Sequence, residues 1–162
     1  MHPSFRNGFW AGLLVAIGAC AYCYQLWQPA RQVQLHSLHF LEAIERGQRP
    51  ALTQYVDETY EDQWGQDRAL LLDRMREVLR YTRDLQIEAR DETTFAEEAE
   101  GHWRARITLD GDANEVTAVI KERVNLIESP FELLWRRRSR KPWDWGLVRI
   151  SNADLKLPAR ER

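Results

Sequence analysis

The feature that most constrains this chain is a stretch of twenty residues without a charged side chain, GFWAGLLVAIGACAYCYQLW at positions 8–27. As an α-helix with about 1.5 Å per residue it would span roughly 30 Å, the thickness of the hydrocarbon layer of a bilayer. Aromatic residues lie at both ends, where amphipathic rings favour the level of the lipid headgroups. The stretch is apolar on all sides rather than along one stripe, which favours a membrane-spanning helix over a buried core helix.

The same stretch is compatible with two processed forms. Arg6 followed by an apolar run resembles a secretory signal peptide, and the AIGAC sequence ending at Cys20 resembles a bacterial lipoprotein cleavage box, in which that cysteine would be acylated. The apolar run continues beyond Cys20 to Trp27, which favours an uncleaved anchor. All three forms take the rest of the chain across a membrane.

Flanking charge predicts the orientation of the anchor. The leader has the amino terminus and Arg6, whereas Arg31 is the only basic residue in the first dozen residues of the other flank. Because positive charge is enriched on the cytoplasmic side of membrane proteins, the rest of the chain is expected outside the cytoplasm. Both cysteines, Cys20 and Cys23, lie in the apolar run, so cysteine usage does not indicate the redox compartment of the remainder.

Composition bounds that remainder to one domain. The chain has 162 residues, 44% hydrophobic and 10% aromatic, which suffices for one globular core beside the anchor. Arg6 is the only charged residue before position 28, so the remainder has 22 basic and 25 acidic side chains and a net charge of −3. A mildly acidic domain is not attracted as a whole to polyanions, which argues against nucleic-acid binding. We therefore expect an anchor (1–28), one domain (29–153) and a flexible tail (154–162).

Three helices are predicted after the anchor. In residues 29–45 the apolar positions share one face, and Gly47 suits a C-terminal stop. Residues 50–56 form a short second helix that packs against the first. The third helix, residues 67–82, begins with Asp67 as its cap and has apolar residues at i, i+3, i+4 and i+7.

After Arg83 the spacing of apolar residues changes from the helical period to alternation. Alternation predicts strands, and the DGD sequence at 110–112 predicts a turn between two of them. Helices followed by four or five antiparallel strands indicate an α+β domain in which the helices pack on a curved antiparallel sheet. The predicted strands are residues 85–89, 103–109, 116–126, 131–138 and 143–151.

The order of these elements resembles that of the nuclear transport factor 2-like (NTF2-like) superfamily, the cone-shaped, cystatin-like α+β fold shared with ketosteroid isomerase and polyketide cyclases. The resemblance rests on FLEAIERGQRPALTQYV at 40–56, where a helix stops at a small residue and a short one follows, and on the closing WDWGLVRIS at 143–151. It covers residues 30–152. The layout of a short leader, one span and such a domain is also similar to that of inner-membrane scaffold components of type IV secretion systems.

The resemblance implies a place for chemistry inside the cone. Enzymes of this superfamily keep an aspartate, histidine or tyrosine there, where burial raises a carboxyl pKa towards neutral pH. Among the residues expected to face inwards Glu122 is the exception to an apolar surface, so it is the acid–base candidate. An arginine on the same face, Arg137 or Arg149, would instead pair with it. Three tryptophans complete the candidate pocket: Trp103, Trp135 and Trp145.

Other motifs do not predict a reaction. His36 and His39 are three apart on a predicted helix, a spacing that can place two imidazoles on one side, but no third ligand is suggested nearby. His102 heads a strand beside Trp103 and is expected to be structural. The sequence has no nucleophile elbow, phosphate-binding glycine loop or metal-binding cysteine motif. We therefore expect neither enzymatic activity nor a cofactor or metal.

The segment LLWRRRSRKPWDWGLVRIS at 133–151 combines cations with tryptophans, which is typical both of nucleic-acid surfaces and of an amphipathic hairpin. If paired positions sum to 280, Trp135 faces Trp145 and Arg137 faces Trp143 on one side of the sheet. Arg137 would then lie over an indole ring. The tryptophans are thereby explained as sheet residues, which favours the hairpin.

The cations of this hairpin that would stay exposed form a candidate interaction surface for an acidic protein or for anionic lipid. They are Arg136, Arg138, Arg140 and Lys141.

The sequence therefore favours a non-catalytic interaction or scaffold domain, held at a membrane by its own helix and facing the envelope. Val119, Ile127 and Leu134 fall on the otherwise polar face of the predicted sheet, where a second copy or an envelope protein would contact it. The alternative is a small-ligand-binding or isomerase- or cyclase-like domain that uses the cone pocket, with Glu122 as its acid–base residue.

Overall fold

A computed structural model describes residues 3–81, 84–111 and 115–156, with side chains described from residue 8 and, in the helix that begins at 115, from residue 118. The end of the predicted third helix at Thr82, the end of the predicted turn at Asp112, the side chain of Val116 and residues 157–162 of the predicted tail lie outside the described residues. The elements in chain order are α1 (Pro3–Leu26), α2 (Pro29–Glu45), α3 (Arg49–Tyr55), α4 (Arg68–Tyr81), β1 (Gln86–Ala96), β2 (Glu100–Asp110), α5 (Glu115–Asn125), β3 (Phe131–Arg137) and β4 (Trp145–Ser151).

The first four helices follow the predicted pattern. α2 ends where Gly47 adopts a positive φ of 60°, and the backbone N–H groups of Gly47 and Gln48 donate to the carbonyls of Ile44 and Ala43. This is the bonding of a glycine stop, which satisfies helix carbonyls that lack a partner within the helix. Asp67 caps α4 as predicted, because its Oδ1 accepts from the backbone N–H of Leu70 at 2.8 Å.

The sheet has four antiparallel strands in the order β1-β2-β3-β4. Its inner face, which includes Trp103, Leu133 and Ile150, packs against α2, and its outer face includes His102 and Leu134. The α+β architecture of helices on an antiparallel sheet is thus confirmed. We call the end with residues 97–99 and 138–144 the loop end of the sheet, and the end with residues 110–111, 126–130 and 151–154 the pocket end.

The predicted strand at 116–126 is wrong, because this segment is helix α5 between β2 and β3. Ile120 and Val124 are four residues apart and lie on one face of a helix, where they face the sheet. Asn125 anchors the end of α5 to β2: its side chain accepts from the N–H of Leu109 at 2.8 Å and donates to the same residue's carbonyl at 3.0 Å. A β-branched run fits either period, and here the need to cover the end of the sheet selects the helix.

The predicted register of the last hairpin is also wrong. Trp135 pairs with Leu147 and Arg137 with Trp145, so positions sum to 282 rather than 280. A bulge raises the sum to 283 for Leu134 and the residues of β3 before it. Trp143 is consequently in the loop and 52% exposed, not opposite Arg137. The stacking of Arg137 is confirmed on a different ring, since its guanidinium carbon lies 5.0 Å from the centre of the Trp145 ring.

The buried core lies between α2, α3 and the inner face of the sheet. Trp103, Trp135 and Leu147 have no exposed surface, and Phe40 of α2 is 1% exposed against them. The polar end of Trp135 is satisfied because its Nε1 donates to Ser37 Oγ at 2.9 Å, inside the core.

Candidate functional site

A pocket of about 260 Å³ opens at the pocket end of the domain, between the inner face of the sheet and helices α2, α4 and α5. It exists because α5 lies over the end of β2 without filling the space down to Phe40 and Trp103. Among the described residues of α4 and α5, none is fully buried, so both helices form walls rather than core.

The lining of this pocket is almost wholly apolar. Fourteen of its fifteen described lining residues are aliphatic or aromatic. They come from every element around the pocket: Phe40, Leu41, Ile44, Val78, Leu85, Ile87, Trp103, Ile107, Leu109, Ile120, Val124, Phe131, Leu133 and Ile150.

Lys121 is the one ionisable residue among the described residues that line the pocket. Its Nζ donates to the carbonyl of Gly111 at 2.8 Å and lies 3.1 Å from Asp110 Oδ1. The N–H of Gly111 and the ammonium of Lys121 together hold the pKa of Asp110 below its usual value. The ammonium is therefore already paired at the turn that follows β2 and is not presented unpaired to a ligand.

Glu122, the predicted acid–base residue, is not in the pocket. It is exposed on α5, because a helix turns each residue by about 100° and places 122 away from the side of Ile120 and Val124. The predicted pairing with Arg137 or Arg149 is wrong as well. Arg137 stacks on Trp145, and Arg149 is exposed opposite Leu134.

The three predicted pocket tryptophans separate into two groups. Trp103 lines the pocket, whereas Trp135 and Trp145 belong to the core nearer the loop end. The Nε1 group of Trp103 donates to Glu92 Oε2 at 3.2 Å. Sequence reasoning missed Glu92; the signal was Asp91, which interrupts the alternation of β1 and forms a bulge with a positive φ of 54°.

The predicted cluster of four hairpin cations is reduced by ion pairs. Arg136 bonds Glu100 at 3.2 Å, and Arg138 Nε bonds Asp57 Oδ2 at 2.7 Å. The other guanidinium nitrogens of Arg138 donate to the last carbonyls of α3 at 2.9 and 3.2 Å. Arg140 and Lys141 remain exposed in the loop.

Burial opposes the ionisation of Asp57, but hydrogen bonds from Thr59 and Arg138 outweigh it and lower the pKa of this carboxyl. Through its bonds to Asp57 and to the last carbonyls of α3, Arg138 connects the β3–β4 loop to α3.

The histidines do not form a ligand set. The ring of His36 packs edge-on against the rings of Tyr55 and Trp135. Its Nδ1 bonds the carbonyl of Gln32 at 2.8 Å, which favours the protonated form, but burial has the larger effect and lowers the pKa of His36. His39 is exposed on the same helix. Within residues 3–81, 84–111 and 115–156, no three histidine, cysteine, aspartate or glutamate side chains are grouped so that they could hold a metal ion.

A second polar group lies on the outer face of the sheet. His102 Nδ1 is 2.6 Å from Glu132 Oε1, and Arg104 is 3.1 Å from the other carboxylate oxygen. Burial opposes the ionisation of Glu132, but the hydrogen bond with His102 and the charge of Arg104 outweigh it and lower the pKa of this carboxyl. The group is an ion-paired surface cluster in which His102 has the structural part predicted for it.

Comparison with known proteins identifies the fold. No family model and no curated protein sequence matches the chain. Its structure is similar to that of a candidate aromatic ring hydroxylase from Novosphingobium aromaticivorans, with a TM-score of 0.59 and 13% identity over 80% of this chain and 90% of that one. It is also similar to a candidate dehydratase of the NTF2-like family from Streptomyces avermitilis, with a TM-score of 0.56 and 17% identity over 75% of this chain and 93% of that one.

A third similar structure is that of a candidate ketosteroid isomerase from Shewanella frigidimarina, with a TM-score of 0.56 and 10% identity over 78% of this chain and 95% of that one. At such identities the similarity concerns the arrangement of helices and strands and not the residues of a site. The domain that follows α1 therefore has the NTF2-like, cystatin-like fold.

Proposed function

We propose that this chain is a non-catalytic binding protein, held at a membrane by α1, whose domain binds an apolar molecule in the pocket. The observation that supports this is the pocket itself, about 260 Å³ in volume and lined by fourteen apolar residues and one lysine. Burial of apolar ligand surface supplies about 25 cal/mol per Å², so such a lining favours a hydrocarbon ligand without polar contacts. A dry apolar cavity of about 150 Å³ takes up benzene, so this pocket has room for roughly ten carbon atoms.

The absence of catalysis in this proposal follows from the position of the acid–base groups. The three similar proteins have names that indicate isomerase, dehydratase or hydroxylase activity. Proton transfer needs an ionisable group within hydrogen-bond reach of the substrate. Glu122 is exposed outside the pocket, and Glu92 and Asp110 each bond a lining side chain without lining the pocket themselves. Lys121, the remaining ionisable group among the described lining residues, is paired.

The anchoring part of the proposal rests on α1. Its residues Gly8–Leu26 are long and apolar enough to cross a membrane, and none of them is fully buried against the rest of the chain. We propose that α1 is retained and that the domain lies outside the cytoplasm. A cleaved signal sequence and a lipoprotein acylated at Cys20 are the alternatives, and the intact mass of the membrane-extracted protein distinguishes them. Retention gives the full chain, cleavage a shorter one, and acylation a shorter one with added lipid.

Ligand binding is tested on the full chain in lipid nanodiscs, because detergent would itself occupy an apolar pocket. Binding is measured by NMR from the isoleucine methyl signals. Five isoleucines line the pocket and serve as probes, and Ile127, which does not line it, serves as the control. Titration with medium-chain alcohols and with their carboxylate analogues should shift the signals of the five and leave that of Ile127 in place. Equal shifts of all domain isoleucines, or none, would refute binding in the pocket. The five are Ile44, Ile87, Ile107, Ile120 and Ile150.

A second candidate function, self-association or scaffolding, is favoured by one row of residues across the outer face of the sheet. Phe95, His102 and Leu134 are direct cross-strand neighbours, and Phe95 is 63% exposed. Of the residues expected on this face, Leu134 is there, whereas Val119 lies on α5 and Ile127 in the segment after it. Crosslinking through Phe95→Cys in membranes, with Cys20 and Cys23 replaced by alanine, should trap a dimer if a second copy covers the row. Monomer alone would refute self-association.

A further inference from the structure

The junction between the anchor and the domain is short and bonded. Two residues, Trp27 and Gln28, separate α1 from α2. The side chain of Gln32, only 7% exposed, donates from Nε2 to the carbonyl of Leu26 at 2.7 Å, while its backbone N–H donates to Gln28. A last-turn carbonyl of α1 is therefore capped by a residue of the domain, so the domain is held directly against the end of the anchor rather than on a flexible linker.

The loop between β3 and β4 reaches this junction. The ring centres of Trp143 and Trp27 lie 6.4 Å apart, and the two residues are 52% and 51% exposed. Trp27 follows the last residue of the candidate span. If α1 crosses a bilayer, both indoles lie at the level of the headgroups, where tryptophan is favoured because its ring is apolar and its N–H is polar.

The same loop presents positive charge next to these rings. Arg140 and Lys141 are exposed and within three residues of Trp143, whereas Arg136 and Arg138 are already bonded to carboxylates of the domain. Asp144 is the one acidic residue in residues 138–144, so the loop keeps an excess of cations even beside it. Exposed lysine and arginine at a membrane surface each strengthen contact with anionic lipid by about fivefold.

We propose that the β3–β4 loop is a second membrane contact, in which Trp143 inserts beside Trp27 at the interface while Arg140 and Lys141 bind the phosphate groups of anionic lipids. This proposal rests on the spanning of a membrane by α1. Its consequence is a fixed orientation of the domain relative to the membrane. The loop end of the sheet lies on the bilayer, and the pocket end points away from it. The acidic turn with Glu97 and Glu98 is at the same end of the sheet, so the contact is confined to the side of β3 and β4.

The test uses the full chain, with Cys20 and Cys23 replaced by alanine, in nanodiscs of phosphatidylcholine with or without phosphatidylglycerol. A fluorophore is attached at Ser139→Cys in the loop or at Glu128→Cys, the control at the pocket end, and a nitroxide on the lipid headgroups quenches whatever lies near them. The proposal expects stronger quenching at position 139 than at 128, increased by phosphatidylglycerol. β3 separates the two sites by roughly 20 Å, at about 3.3 Å per residue.

Charge reversal isolates the contribution of the cations. The double variant Arg140→Glu and Lys141→Glu should lose the increase due to phosphatidylglycerol, and Trp143→Ser should reduce quenching in both lipids. The control double variant, Arg80→Glu and Arg123→Glu, makes the same change in net charge on exposed residues of α4 and α5. It should retain the increase in quenching due to phosphatidylglycerol. Equal quenching at positions 139 and 128 in discs that retain the protein would overturn this inference alone. Failure of the protein to remain with the discs would overturn the anchor proposal and this inference with it.

Discussion

The two ends of the sheet are built differently, although the same four strands run through both. At the loop end, Trp135 and Trp145 are almost completely buried and Arg138 bonds Asp57 and two carbonyls of α3. At the pocket end, α4 and α5 have no fully buried residue among those described and leave a space of about 260 Å³ over the sheet. Stability is therefore concentrated at the loop end, and the pocket end is free to hold a ligand.

The largest effect on stability is expected at a buried tryptophan of the loop end, in comparison with the same change at an exposed tryptophan of that end. Trp135→Ala should lower the free energy of unfolding by about 3–5 kcal/mol, because it opens a cavity and leaves Ser37 Oγ without its donor. Trp143→Ala, at a ring that is 52% exposed, should lower it by less than about 1 kcal/mol. Urea unfolding followed by near-ultraviolet circular dichroism measures both, and equal losses would contradict a stability concentrated in the core.

A smaller effect is expected from the ion pair at the loop end. Arg138→Met should cost about 1–3 kcal/mol, since Asp57, with a side chain only 16% exposed, loses its guanidinium and two carbonyls lose their donors. Arg136→Met is the matched control at an ion pair whose two side chains are each 50% exposed, and should cost about 0–1 kcal/mol. The same unfolding measurement applies, and an equal loss in both variants would show that the contacts to α3 add nothing.

Acid should weaken the loop end in two stages. Burial lowers the pKa of His36 in the folded state, so its contribution is complete above pH 6.5, the usual value, and is lost as the pH falls through the lowered one. Asp57 also has a lowered pKa, so its contribution is lost only below 3.8. His36→Gln should flatten the first stage and Arg138→Met the second, as measured by unfolding across pH. His39→Gln should keep both stages, and a first stage that survives His36→Gln would contradict its assignment.

At the pocket end, filling the space should alter binding more than stability. Ile107→Phe replaces an aliphatic side chain of the lining by a larger aromatic one. It should abolish the ligand-induced shifts of the other four lining isoleucines and raise the free energy of unfolding by about 0.5–1 kcal/mol. Ile127→Phe, outside the pocket, should preserve the ligand response. Loss of stability by several kcal/mol in Ile107→Phe would show that the pocket end is as tightly packed as the loop end.

The smallest effect is expected at Glu122. Because it is exposed on α5, Glu122→Gln should change the free energy of unfolding by less than about 0.5 kcal/mol and leave ligand binding unaltered. A large change in the ligand titration of this variant would return Glu122 to the site.

What could be predicted from the sequence differs between elements with local signals and features that depend on contacts distant in the chain. Helices α2 and α4 could be predicted because their signals are local: the glycine stop at Gly47, the cap at Asp67 and the apolar face of α2. The inner positions of β2 and β3 were readable from alternation for the same reason.

Of the pocket, the sequence predicted Trp103 but not the wall formed by α5. Residues 116–126 fit both a strand and a helix, and what decides between them is non-local, namely the cover that β2 needs and the two bonds of Asn125 to Leu109. The mistaken strand then placed Glu122 inside. The predicted register of the hairpin was wrong because β4 has a bulge at Val148 and because the connecting loop is longer than predicted. The alternation of apolar residues indicates neither feature.

The position of α2 has a consequence for how the proposed ligand would reach the pocket. α2 begins at Pro29, directly after α1, and contributes Phe40, Leu41 and Ile44 to the pocket, so, if α1 crosses a bilayer as proposed, α2 would separate that bilayer from the pocket by roughly 20 Å, at about 1.5 Å per residue. A hydrocarbon dissolved in the surrounding lipid would have to leave it and cross water to arrive there. Such a separation would favour delivery of the ligand by a soluble carrier or its transfer from a neighbouring protein whose own site lies at the same distance from the bilayer.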